Sequence, residues 1–207
     1  DGLSPYYILE KHLRKDTSWQ RWQKVPGAAG IRRELATRYV QNAFNLMRME
    51  HGLPECWEGG QHCALVVQEG LYNREQLYSF SQLVNPSLTF EEKDCRTLLE
   101  RRNNETMSMG GVKDMLEEWN ESILCLHHLS ALTQAGGNVL LRAIEERMLT
   151  LKQGILMLVG SAEEIQQVRE ASAVIGKRIP QESIYRMGEY SLAEQVHWVQ
   201  RVLINKH

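Results

Sequence analysis

Hydrophobic positions recur at helical spacing over much of this chain. Val112, Leu116, Trp119, Ile123 and Leu126 advance in steps of three and four, which places one apolar stripe on a helix that "TQAGGN" at 133–138 ends. Leu141, Ile144, Met148, Leu151, Ile155 and Leu158 repeat about every 3.5 residues, the period of helices packed nearly antiparallel in a bundle. Together they predict a long central helix over 139–159, stopped by Gly160. A weaker helical pattern covers 162–175 and "GKRIP" at 176–180 interrupts it. Tyr185, Leu192, Val196, Val199 and Leu203 stripe a last helix.

Toward the N-terminus, Ser4-Pro5 caps a helix over about 5–23, and a second runs over about 31–50 with Leu35, Tyr39, Phe44 and Met47 near one face. "HGLPECWEGGQHC" at 51–63 reads as a loop, followed by a shorter helix over 64–78. "REQLYSFSQLVNPSLTF" at 74–90 has no clean period and reads as a semi-apolar loop, and 91–108 is polar. Alternating β-branched runs are few, so no sheet is expected. The pattern therefore predicts an all-α fold, a four-helix bundle with extra helical segments. Residues 1–207 form a single helical domain, with 1–50 as an appended helical pair if they stand outside the bundle.

Composition narrows the function more than the fold. The chain has 207 residues, 43% hydrophobic and 24% charged, enough for a core without disulfides. A formal net charge of -2 gives no global field to hold nucleic acid. No apolar run is long enough for a membrane span. The four cysteines are Cys56, Cys63, Cys95 and Cys125. A Cys56–Cys63 disulfide closing a small loop is expected if the chain is secreted, and free thiols if it is not. Asn104-Glu105-Thr106 and Asn120-Glu121-Ser122 are glycosylation sequons. No secretory leader is visible, so a secreted chain would have lost one in processing.

Candidate chemistry is sparse. His51, Cys56, His62 and Cys63 are zinc-type ligands in one loop, but their spacing matches no standard pair. Glu121, Cys125 and His128 would share one side of a helix, where a partly exposed bundle surface explains them. Glu194-Gln195-Val196-His197 lacks the second E-x-x-H that a di-iron bundle needs. Nucleotide, hydrolase and zinc-protease signatures are missing. Glu145, Glu146 and Arg147 read as the wet face of their helix. No catalytic residue, metal or cofactor is expected.

"EQLYSFSQLVNPSLTFEE" at 75–92 resembles the connection after the first helix in growth hormones, prolactins and placental lactogens, through Glu75, Gln76, Tyr78, Ser79, Phe80, Gln82, Ser87, Leu88, Phe90 and Glu92. "EWNESILCL" at 118–126 looks like the W-x-E-P segment of that family's second helix, with Ser122 at the proline position. "LKQGILMLVG" at 151–160 is similar to the end of its third helix. "LPECWEGGQHC" looks like the small cysteine loop that begins prolactins. Thr89 stands where the family carries a cysteine, and no cysteine follows Cys125. The resemblance implies an up-up-down-down cytokine bundle, secreted and non-catalytic, that pairs cell-surface receptors. Tyr78, Ser81 and Gln82 would then contact the receptor, while Phe80 and Phe90 lid the core. The alternative is a cytoplasmic, all-helical adaptor or assembly subunit that binds a partner helix or peptide in a groove.

Overall fold

The structure is a computed structural model that describes residues 62–68, 72–85, 87–104, 119–151 and 153–188, with Gln20, Trp22, Val25, His51, Gly52, Leu116, Ala193 and Val196. The expected helices over 5–23, 31–50 and 185–203 fall almost wholly outside these residues, as does Cys56.

The apolar runs form a parallel sheet, which overturns the all-α four-helix bundle. In chain order the elements are β1 (Cys63–Val66), α1 (Arg74–Val84), β2 (Thr89–Asp94), α2 (Cys95–Asn104), β3 (Ser122–His127), α3 (Ser130–Thr133), α4 (Gly137–Thr150), β4 (Ile155–Gly160), α5 (Ala162–Ala171), α6 (Ala173–Arg178) and β5 (Ile184–Arg186). The five strands lie in the order β2-β3-β4-β1-β5, every pair parallel.

The bundle expectation fails for a definite reason. A parallel sheet covered on both faces needs continuous apolar strands, and a short continuous run looks the same whether it is a strand or a buried helix. Residues 155–160, ILMLVG, are buried throughout. The helix preceding them ends at Thr150, and Leu151 is its extended C-cap. Residues three apart share a side of a helix but lie on opposite faces of a strand. Accordingly, Ile155 enters one core and Leu158 the other, and Ile123 and Leu126 divide in the same way. Trp119, expected in mid-helix, lies in a turn before β3, buried, with its indole N–H donating to the Ile155 carbonyl at 3.2 Å. Arg147 is not simply wet surface: its guanidinium donates to the carbonyls of Leu116 and Trp119 at 3.0 and 3.1 Å.

Right-handed crossovers place the helices. The step from β1 to the far edge at β2 runs one way along the sheet, and all later steps run the other way. Hence α1 packs on one face and α2 to α6 on the other. Leu77, Phe80, Leu83 and Val84 of α1 join Cys63, Leu65, Ile123, Cys125, Ile155, Met157, Val159 and Tyr185, with Trp22 and Val25. Ala64, Leu124, Leu126, Leu156 and Leu158 face Cys95, Leu132, Leu140, Ile144, Met148, Ile165, Val168 and Ile175. The turn between α3 and α4 needs a glycine, since a Cβ on Gly137 would collide with the Ala131 carbonyl. β2 is the charged edge strand, "TFEEKD", whose Glu91 and Lys93 pair at 3.8 Å. Such charges blunt an open edge against further pairing.

The stretch at 74–90 is therefore a helix followed by the start of a strand, not a loop. Asn73 caps α1: its Oδ1 accepts from the Gln76 N–H at 2.9 Å, and the Gln76 Oε1 accepts from the Asn73 N–H at 2.8 Å. Phe80 lies fully buried between Trp22 and Tyr185, with ring centroids 5.6 Å from each. Tyr78 is 40% exposed on the opposite side, edge-on to Phe90 at 6.0 Å. Truncating a fully buried phenylalanine costs about 3–5 kcal/mol, whereas surface changes stay within about 0.5 kcal/mol. Urea unfolding should show Phe80→Ala strongly destabilised and Tyr78→Ala close to the parent. Equal losses would contradict this orientation of α1.

Candidate functional site at the carboxyl edge

Ligands of open α/β sheets bind beyond the carboxyl ends of the strands, where neighbouring connections leave in opposite directions. Here that point lies between β1 and β4: the chain leaves β1 toward α1 on one face and leaves β4 toward α5 on the other. At this edge a cavity of about 230 Å³ opens beside β1, lined by Leu65, Val66, Val67, Gln68, Tyr72, Gln76, Leu77, Met187, Gly188 and Trp22. Among the described residues the lining is largely apolar and contains no lysine, arginine or carboxylate. Trp22 is 1% exposed, and its indole N–H has no hydrogen-bond partner among the described residues. A buried donor without a partner costs on the order of 1–3 kcal/mol.

The helix ends that face this edge are already closed. The capping box of Asn73 and Gln76 occupies the first turn of α1, which also carries Glu75. Ser161 and Glu164 form a second capping box on α5, with Glu163 beside it. Glu164 also accepts from the Ser130 N–H at 3.2 Å, tying the start of α3 to the turn after β4. Gly160 makes room for this carboxylate, since a Cβ there would approach its Oε2 to 2.8 Å. Open N–H groups and the positive dipole end are what draw phosphate to a helix start. Here side-chain oxygens take the cap and third-position N–H groups of α1 and α5, and acids offset the dipole.

A second group of polar side chains lies further along the edge. Asp94 ends β2 in register with His127, which ends β3, and His128 follows. The ligand atoms of these three residues lie within 4.8 Å of one another. Glu92 approaches His127 Nε2 at 3.5 Å, and Asp94 approaches His128 Nε2 at 3.7 Å. His128 has φ of 55°, a left-handed conformation uncommon outside glycine. Arg96 donates its backbone N–H and Nε to Asp94 Oδ1, at 2.8 and 3.3 Å, and its Nη2 to Oδ2 at 3.0 Å. Burial works to raise the Asp94 pKa, but the hydrogen bonds from Arg96 and the field of His128 outweigh it and hold Asp94 below the ordinary carboxylate value. Burial lowers His127 below the ordinary imidazole value; His128 and Arg96 add to this, while Asp94 and Glu92 oppose it. Burial also pushes the Tyr72 phenol up to about 12, with smaller contributions from Cys125, Glu164, Glu92 and Asp94.

The residues singled out in the sequence are placed as follows. Ser81 is fully buried and its hydroxyl donates to the Tyr78 carbonyl at 2.7 Å, so it presents nothing to a receptor. Gln82 is partly exposed on the same helix as Tyr78. Cys63 is fully buried at the start of β1, while Cys56 lies outside the described residues. His62 is buried, and its Nδ1 accepts the Leu156 N–H at 2.9 Å, which commits that lone pair to the fold. Cys125 lies in the sheet core, and burial raises its thiol well above the ordinary value; Cys95 is pushed up to about 12, again chiefly by burial. Neither is an activated nucleophile. Asp94 and His127 went unnoticed in the sequence because only the β2–β3 register joins them.

The lowered pKa of His127 has a consequence for stability. The unfolded chain takes up this proton first, so stability falls as pH drops from the ordinary imidazole value of 6.5 through the lower folded value. Thermal melts of chelator-treated protein between pH 7 and pH 5 should show a midpoint that drops less in His127→Asn than in the parent. Identical slopes would contradict a buried, neutral His127.

No protein-family model matches the chain, and no curated protein matches it either.

Proposed function

We propose that this chain is a non-catalytic α/β binding domain that holds a small, planar, uncharged ligand of the nucleobase or nucleoside kind in the crevice beside β1. The observation that carries the proposal is the closed N-terminus of α1 at the mouth of that crevice. Between a first strand and its helix, P-loop nucleotide-binding domains carry G-x-x-x-x-G-K-[ST], whose backbone N–H groups and lysine cradle phosphates. Residues 67–74 occupy that position and read VQEGLYNR, with one glycine and no lysine. Arg74, the one cation there, pairs with Glu92 at 3.6 Å. β3 ends in His127, with His128 next, rather than in the aspartate that holds magnesium at a strand end in P-loop domains. Binding without phosphate transfer fits these residues better than hydrolysis does.

The crevice favours a flat, weakly polar ligand. Trp22, Tyr72, Leu77 and Met187 offer apolar surface, Gln68 and Gln76 add amides, and the unpartnered Trp22 N–H calls for an acceptor. Pockets of this kind take orientation from a few polar groups and affinity from apolar contact. The cytokine expectation stood on a four-helix bundle and is not carried forward. An assembly-subunit role fits a binding domain without turnover. No helix of the described residues is long and apolar enough to cross a membrane.

Calorimetry with adenosine, guanosine and ATP–magnesium tests this reading, alongside a phosphate-release assay. A nucleoside should bind, the triphosphate should bind no more tightly, and no phosphate should be released. Trp22→Phe keeps an aromatic ring but loses the donor, and should weaken nucleoside binding by roughly five- to tenfold, the equivalent of about one hydrogen bond. Much tighter triphosphate binding, or turnover, would overturn the proposal.

A further inference from the structure

Asp94, His127 and His128 lie at the carboxyl edge but do not line the crevice beside β1. We infer that these three residues form a binding site for a divalent transition-metal ion, with zinc the best match to their donor set. Two imidazoles and a carboxylate are borderline ligands of the kind zinc takes in four-coordinate sites. They come from adjacent parallel strands whose pairing holds Asp94 opposite His127, so the backbone prepares the site.

Three further observations point to an ion. Nδ1 of His127 is buried and has no hydrogen-bond partner among the described residues. The two imidazole rings lie close and tilted, with centroids 4.8 Å apart and planes at 59°, near enough for both to offer a nitrogen to one ion. His128 holds a left-handed backbone that few non-glycine residues adopt, histidine being among those that do so more readily, and such conformations cluster at ligand-binding sites. Closing the donor atoms from 4.8 Å to the roughly 3.3 Å edge of a zinc tetrahedron is a side-chain adjustment. With Nδ1 of His127 on the metal, Glu92, 3.5 Å from Nε2 of the same ring, is placed to accept the other ring N–H, and solvent would complete the four-coordinate set. Arg96 would go on holding Asp94, the outer support that ligating carboxylates generally have.

The metal would clamp β2 to β3; Tyr72 of the crevice lies beside it, its ring centroid 6.5 Å from that of His127, but none of the three ligands lines the crevice, so this inference does not rest on the proposed function. Zinc titration of the chelator-treated full chain by calorimetry tests it, with cobalt absorption as a second readout. One equivalent of zinc should bind, and His127→Gln and His128→Gly should each weaken it by at least about a hundredfold. His51→Ala, at an exposed position elsewhere, should leave it intact. His128→Gly relieves the left-handed strain, so its metal-free melting temperature should equal or exceed that of the parent. Asp94→Asn supplies a third variant should either histidine change unfold the chain. Zinc affinity unchanged in these variants, or no zinc binding by the parent protein, would overturn the inference.

Discussion

The pairing of β1 with β4 is the constraint on which the rest depends. Cys63 to Val66 lie against Met157 to Gly160, and on their other side carry β5. The ladder is extended at both ends. Leu156 donates to His62 Nδ1 before β1, and the Val67 N–H donates to the Gly160 carbonyl at 3.0 Å after it. Without β1, β5 would lose its only strand partner among the described residues, and Tyr185 would leave Phe80. The insertion of the first strand between the fourth and fifth also makes the chain diverge at the carboxyl edge, where β1, the start of α1 and the residues after β5 line the crevice.

Two features of this edge follow from ordinary side-chain chemistry. Asn73 and Ser161 satisfy helix starts that could otherwise hold an anion, while Glu75, Glu163 and Glu164 add negative charge near them. The parallel β2–β3 register brings together Asp94 and His127, which the sequence separates widely. Capped helix starts and acids thus occupy one part of the edge, while another groups two imidazoles with a carboxylate. The thiols of Cys95 and Cys125 are buried in the two cores, and burial raises both above the ordinary thiol value.

Some of this was legible in the sequence. The helical spacing of Leu141, Ile144 and Met148 does belong to a helix, and the pattern over 162–175 corresponds to α5 and the start of α6. The burial of Phe80 was also expected. The strands were not legible, because CALV, SILCLH and ILMLVG are apolar on both faces and lose the period of two. β2 was hidden for the opposite reason, its edge position filling it with Glu, Lys and Asp. For α1 a usable signal was present: Asn73 followed by Gln76 three residues later is a capping box. The likeness of 75–92 to a hormone connection falls on that helix and on β2, so the shared letters carry no bundle with them.

Amide hydrogen exchange of the full chain tests the central pairing most directly. Amides sealed inside a five-stranded core exchange only through its largest openings. The account predicts that Leu65 and Val66 of β1 exchange as slowly as Met157 and Leu158 of β4, with Gln153 and Gly154 much faster. Rapid exchange in β1, or uniform protection running unbroken through 139–159 as in one long helix, would contradict it.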